Sequence, residues 1–289
     1  MITKINEKIQ AINESLDWLK QYKPDVYEQR FVALVQERSR LRKILEAKKE
    51  IPGIAAYGES QKGKSYLMGN LLQQNGKPFM VSVPAENRKI DFVRSINPRG
   101  DKREATGVVT RFTAFNGNNK NRYSAEYPVL MKLLSVADIA MILCDGYFND
   151  LMDYQSYSDL RIKEMTDEIC NKYKERNEID GCCLIEDDIL DIKAYIKNNI
   201  NNAHCLNDGA NSNIFDKIAV IIRRVPMQEL PAVLSFLWHE NAVITQMFKR
   251  LITTLSRLGF VREAYLPIEA VLHNGVNQKT IMSVKCLKA

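Results

Sequence analysis

Apolar residues at Ile2, Ile5, Ile9, Ile12, Leu16 and Leu19 recur at alternating steps of three and four, the seam of a helix over residues 2–22. Lys23-Pro24-Asp25 breaks that seam, because proline cannot continue a helix. A second helical pattern runs through Phe31, Leu34, Val35, Leu41 and Leu45. The short connection and matched stripes predict an antiparallel helical hairpin, residues 1–50, packed on its own chain. The pattern then shortens. Ile51 to Tyr57 predicts a short buried strand, Tyr66 to Leu72 the first turns of a helix, and Phe79 to Val83 a second strand. Residues 84–107 lose apolar periodicity and read as a mobile loop. Gly107 to Phe115 and Tyr123 to Leu130 predict two partner strands joined at the turn signal Asn116-Gly117-Asn118-Asn119.

From Ser135 the pattern is helical for most of the remaining chain. Ser135-Val136-Ala137-Asp138 has the spacing of a helix start with an acid three residues in. Further helical stretches are expected near 158–178, 184–200, 213–225, 227–237 and 240–258. Asn201-Asn202, Asn207-Asp208-Gly209, Pro226 and Gly259 supply the breaks. Lys279 to Leu287 predicts a last strand.

Composition changes this picture little. Hydrophobic residues at 45% and charged residues at 26% are ordinary for a globular protein. A net charge of +6 permits contact with nucleic acid or anionic lipid without arguing for it. No apolar run approaches a membrane span, and no signal peptide opens the chain. The six cysteines suit neither a disulfide framework nor a zinc site. Cys182-Cys183 and His204-Cys205 are read as free thiols rather than metal ligands. That usage points to a reducing, cytoplasmic compartment, with secretion left open.

Chemistry concentrates in Gly58-Glu59-Ser60-Gln61-Lys62-Gly63-Lys64-Ser65, two glycines five positions apart followed by Lys and Ser, between a predicted strand and a predicted helix. Gly58 and Gly63 allow backbone conformations that a side chain would block. Successive amide N–H groups can then turn inward around an anion, and the following helix adds its positive end. Lys64 is placed to reach the β- and γ-phosphates, and Ser65 to hold Mg2+. The cradle is expected to include Glu59, Ser60, Gln61, Lys62 and Tyr66. Arg88, Lys89, Arg94, Arg99, Lys102 and Arg103 make the following loop basic; it reads as a solvated surface or as a flap over nucleotide. Thr106 and Thr110 are both candidates for a switch threonine that completes Mg2+ and γ-phosphate contacts.

Other clusters read as structural. Glu186, Asp187, Asp188 and Asp191 fit the dipole at the start of a helix better than a metal site. Trp238-His239-Glu240 could suggest an acid–base pair, but a histidine at a helix junction is more often structural, and no chemistry is assigned to it.

Several stretches resemble bacterial virulence factors of the SrfC type, a family similar to dynamin-like GTPases. They are the Gly58–Leu67 stretch, Asp91-Phe92-Val93-Arg94-Ser95-Ile96-Asn97-Pro98, the run from Glu104 to Thr113, and Tyr127-Pro128-Val129. Leu133 to Asp138, Phe236-Leu237-Trp238, and Leu258-Gly259-Phe260 leading to Tyr265-Leu266-Pro267-Ile268-Glu269 agree. The resemblance implies that Gly107-Val108-Val109-Thr110-Arg111 is a switch-one motif, which favours Thr110 over Thr106. It implies that Gln61 lies beside the attacked phosphate. It also implies an α/β fold, a dynamin-like P-loop NTPase sheet, with an N-terminal helical hairpin and a large helical insertion. The corresponding segments are residues 1–50, 51–132, 133–275 and a strand returning at 276–289. Such a sheet needs roughly five or six parallel strands, so the missing ones are expected beyond residue 289.

Two functions fit the sequence. One is a nucleotide-binding module, GTP favoured over ATP, with Mg2+ as cofactor. In it Lys64, Gln61 and Thr110 serve hydrolysis, and Ser65 and Thr110 bind the metal. The other is a non-enzymatic helical interaction module with a static nucleotide site. Expected partners are a nucleoside triphosphate and a protein or second copy docking on the helical regions. An anionic membrane surface has only the mild basicity behind it. No pattern for a specific nucleic acid occurs.

Overall fold

The computed structural model describes residues 1–50, 52–54, 63–73, 75–83, 87–96, 111–113, 124, 126–151, 158–207 and 213–272. The chain divides into two compact units, residues 1–49 with 134–260, and residues 50–133 with 261–289.

The first unit is helical. Helices α1 (Ile2–Tyr22) and α2 (Pro24–Lys49) meet at Lys23, where the proline begins the second helix. Proline suits a first helical turn because the amide hydrogen it lacks would have no partner there. Around them lie α4 (Val136–Asn149), α5 (Asp159–Tyr173), α6 (Glu186–Asn199), α7 (His204–Asn207), α8 (Ile214–Ile221), α9 (Leu230–Val233) and α10 (Ala242–Arg257). The 3-10 turn Ser235–Trp238 runs through the core, with Phe236, Leu237 and Trp238 fully buried. Phe215 meets Phe236 edge-on at 5.6 Å, and Trp238 donates Nε1–H to Thr245 Oγ1 at 2.8 Å. Leu16 of α1 and Phe31 and Val35 of α2 join the same core.

A buried charge cluster ties three of these helices together. Arg38 of α2, 5% exposed, donates Nε–H to both carboxylate oxygens of Asp187 at 3.2 and 3.0 Å. It also donates to Glu186 Oε2 at 3.0 Å and to Asn13 Oδ1 of α1 at 2.9 Å. Arg42 adds a contact to Asp187 at 3.1 Å, and Ser39 and Lys43 take Asp191 at 2.7 Å each. The acids at the start of α6 are therefore answered by basic and hydroxyl groups of α2.

Among its described residues the second unit holds helix α3 (Lys64–Leu71) and six short strands: β1 (Gly53–Ile54), β2 (Met80–Val83), β3 (Arg88–Asp91), β4 (Phe112–Thr113), β5 (Val129–Lys132) and β6 (Glu263–Leu266). They form three separate two-stranded antiparallel sheets, β1–β4, β2–β3 and β5–β6. This corrects the expected fold class. Helix dominates, and among the described residues no strands pair in parallel and no P-loop NTPase sheet is built. Each short strand meets an antiparallel neighbour instead; parallel pairing needs a long crossover for every strand pair. The expected pairing of 107–115 with 123–130 is also replaced. Strand β4 pairs with β1, and Leu130 lies in β5 opposite Tyr265 of β6. The predicted strand at 279–287 lies outside the described residues. Val83, Ile90 and Ile268 form the small core of this unit. No described helix is long and apolar enough to cross a membrane.

Candidate functional site: a Gly-Lys-Ser helix start and a Cys–His–Tyr cluster

Gly63 stands immediately before α3 with φ +85°, in the left-handed region where a side chain is strained. Lys64 and Ser65 are the first two residues of the helix, and Leu67 donates its backbone N–H to Gly63 O at 2.9 Å. Lys64 is half-buried and Tyr66 is 55% exposed. The helix sits close to the π turn Phe92–Ile96: a Cβ on Gly69 would meet Val93 Cγ2 at 2.8 Å. Glycine there lets α3 approach its neighbour, while Met68 on the same helix is buried.

Strand β1 precedes Gly58–Ser65 in the sequence, and β4 follows Thr110 by two residues. Their register sets Gly53 opposite Thr113 and Ile54 opposite Phe112. A Cβ on Gly53 would meet the Arg111 side chain, with Nε at 2.5 Å, and Phe112 O at 3.0 Å, so the two strands cross closely there. Glu50 holds both Arg111, at 2.7 Å, and Lys132. These two partners, Lys132 foremost, pull the Glu50 carboxyl below its ordinary pKa. Phe79, Phe92 and Phe112 pack with ring centroids 5.1 to 6.0 Å apart behind this crossing. The structure thus brings together the ends of the two segments expected to carry ligand-binding groups. Gly63, Lys64, Ser65 and Tyr66 form the helix start. Gly58, Glu59, Ser60, Gln61, Lys62, Thr106 and Thr110 lie outside the described residues. Of the basic loop residues, Arg88 and Lys89 are exposed on β3, and Arg94 reaches Asp91 at 3.8 Å.

A second cluster, in the helical unit, was not foreseen. His239 is 2% exposed and ends the 3-10 turn in the left-handed conformation, φ +47°, with Glu240 also left-handed at φ +54°. Its Nδ1 lies 3.2 Å from Tyr147 Oη of α4, and its Nε2 lies 3.2 Å from Cys205 Sγ of α7. The imidazole stands edge-on to Tyr147 and Phe148, at 5.3 and 5.4 Å between centroids. Cys205 stands 34 positions and Tyr147 92 positions from His239, so their meeting left no local pattern to read.

Fold and site together define a mainly helical protein with a smaller strand-bearing unit that presents a Gly-Lys-Ser helix start. Residues 15–289 match the family described as "Putative bacterial virulence factor", and the chain belongs to that family. No curated protein and no solved structure matches it. The virulence-factor part of the resemblance therefore stands. Nothing in these comparisons supports its dynamin-like part.

Proposed function

We propose that Gly58–Ser65 binds the phosphates of a nucleoside triphosphate, GTP ahead of ATP, together with Mg2+. One observation carries this reading: a left-handed glycine at 63 hands the chain into a helix whose first residues are Lys64 and Ser65. That arrangement is what a phosphate cradle needs at its exit, since the start of a helix and its dipole favour an anion. Lys64 would neutralise the β- and γ-phosphates. Ser65 and Thr110 would hold Mg2+, which offsets phosphate charge when bound. Gln61 would orient water. The antiparallel β1–β4 pairing supports the reading by joining the strand before Gly58 to the strand after Thr110.

Isothermal calorimetry with GTP and ATP, each with Mg2+ or with a chelator, tests the assignment. Binding that needs Mg2+ and is weakened at least about tenfold by Lys64→Ala is expected. A folded protein that binds neither nucleotide, or a Lys64→Ala variant that binds as well as wild type, would overturn it.

A second reading is binding without turnover, in a module that docks a protein partner through its helices. The two-stranded β1–β4 sheet favours it, because no parallel neighbours flank β1 among the described residues to frame a hydrolytic site. Phosphate release decides between the two: sustained turnover lost on Lys64→Ala eliminates the static site.

A further inference from the structure

We propose that Cys205 is a nucleophilic thiol, with His239 as its proton acceptor and Tyr147 as the residue that positions the imidazole, and that it takes small hydroperoxides at sulfur. The distances carry the first half. Cys205 Sγ and Tyr147 Oη each lie 3.2 Å from opposite nitrogens of one buried imidazole. A neutral imidazole has one N–H and one lone pair. If Nδ1–H donates to the Tyr147 oxygen, the Nε2 lone pair accepts the Cys205 S–H. If the tyrosine O–H donates instead, Nε2–H donates to the Cys205 sulfur and the thiol keeps its own proton. The first tautomer sets the thiol proton between sulfur and a basic nitrogen, the arrangement that activates a cysteine, and the Tyr147 oxygen selects it by accepting Nδ1–H.

The surroundings hold the ring in place for this. Tyr147 and Phe148 fix two of its sides, and the left-handed backbone at His239 and Glu240 turns the side chain inward. Consecutive non-glycine residues in that region are strained, and such strain clusters at working sites. The titratable neighbours are Tyr147 and Cys144 on α4 and His204 beside Cys205. Glu240 is another, its carboxylate held by Arg161 of α5 at 3.0 Å. Cys144 is a poor competitor. It is fully buried and donates its thiol to Leu237 O, and burial foremost pushes its pKa up. Cys205 is half-buried where Cys144 is fully buried.

A hydroperoxide asks two things of a protein: a thiolate, and a proton for the departing oxygen. The Cys205 thiolate attacks the terminal oxygen, the S–O bond forms and the O–O bond breaks. The proton on His239 Nε2 passes to the leaving alkoxide or hydroxide. Sulfur is oxidised to sulfenic acid, and the peroxide is reduced to an alcohol or water.

The test treats the full chain with hydrogen peroxide, traps sulfenic acid, and reads each cysteine by mass spectrometry. Cys205 is expected to be trapped at least about tenfold faster than Cys182, whose thiol burial holds above its ordinary pKa. His239→Asn is the main variant, because asparagine tolerates a left-handed backbone. It should slow trapping at Cys205 about tenfold or more. Tyr147→Phe separates positioning from packing. It should raise the pH midpoint of Cys205 alkylation by chloroacetamide toward the ordinary thiol value of about 8.5, from a lower wild-type midpoint. Equal trapping at Cys205 and Cys182, or an unchanged rate in a folded His239→Asn protein, overturns the proposal. Should His239→Asn lose its fold by circular dichroism, the wild-type midpoint decides: a value at or above about 8.5 overturns the proposal equally.

Discussion

Arg38 has no exposed route for its charge. Its guanidinium is spent on Asp187, Glu186 and Asn13, and Asp187 is itself 4% exposed. Removing one member of such a cluster leaves the other buried and unpaired. Arg38→Ala should therefore lose about 3–5 kcal/mol in urea unfolding. An exposed pair such as Lys20–Glu178, nearly half exposed on both sides, should cost under about 1 kcal/mol when broken. Asp188 is the opposite case. Its carboxylate accepts the Ile185 N–H at 2.8 Å and so caps α6. Burial foremost, then Asp187 and Asp191, nevertheless raises its pKa to about 6. Between about pH 4 and 6 the folded state thus holds a proton that the unfolded state has released, so stability falls as pH rises through that window. Asp188→Asn keeps a capping oxygen without the charge. It should flatten that fall and gain about 1–3 kcal/mol at pH 7, as read by denaturation at a series of pH values.

At the scale of elements, Ser135 and Asp138 cap α4 reciprocally. Asp138 N–H donates to Ser135 Oγ at 3.0 Å, and Ser135 N–H donates to Asp138 Oδ2 at 2.7 Å. Ser135→Ala should cost about 1 kcal/mol of unfolding free energy, measured by urea denaturation. This cap was legible in the sequence because its two residues stand three apart and bond each other reciprocally. The break at Lys23-Pro24 was legible for the same reason: the proline acts on its own helix. Long helices such as α10 repeat their apolar face through Ile244, Phe248, Ile252 and Leu255, and the stripe marks them. Strand partners carry no such mark. Val129 pairs with Leu266 across most of the helical unit's sequence, and nothing local to either residue names the other. Two-residue strands such as β1 and β4 are shorter than any alternation could reveal. The expectation of a parallel sheet came from a motif's usual company, not from the strands themselves.

For the whole molecule, the two proposed sites fall in different units. The helical unit closes its own core around Trp238 and carries the Cys205–His239–Tyr147 cluster. The strand-bearing unit carries the Gly-Lys-Ser helix start and the β1–β4 crossing. The pattern at 58–65 yields a phosphate-binding proposal from sequence alone because its residues are contiguous. The Cys–His contact was not legible there, because it is made only when α7 and the turn after Trp238 meet in the fold. Amide hydrogen exchange of the full chain, with and without Mg2+ and GTP, tests the phosphate assignment most directly, since it reads the main-chain N–H groups that would grip the ligand. Slowed exchange at residues 58–66 with a matching change around Thr110, absent in Lys64→Ala, is the predicted result. Exchange across 58–66 that ignores saturating nucleotide, or protection that appears only in the helical unit, would contradict it.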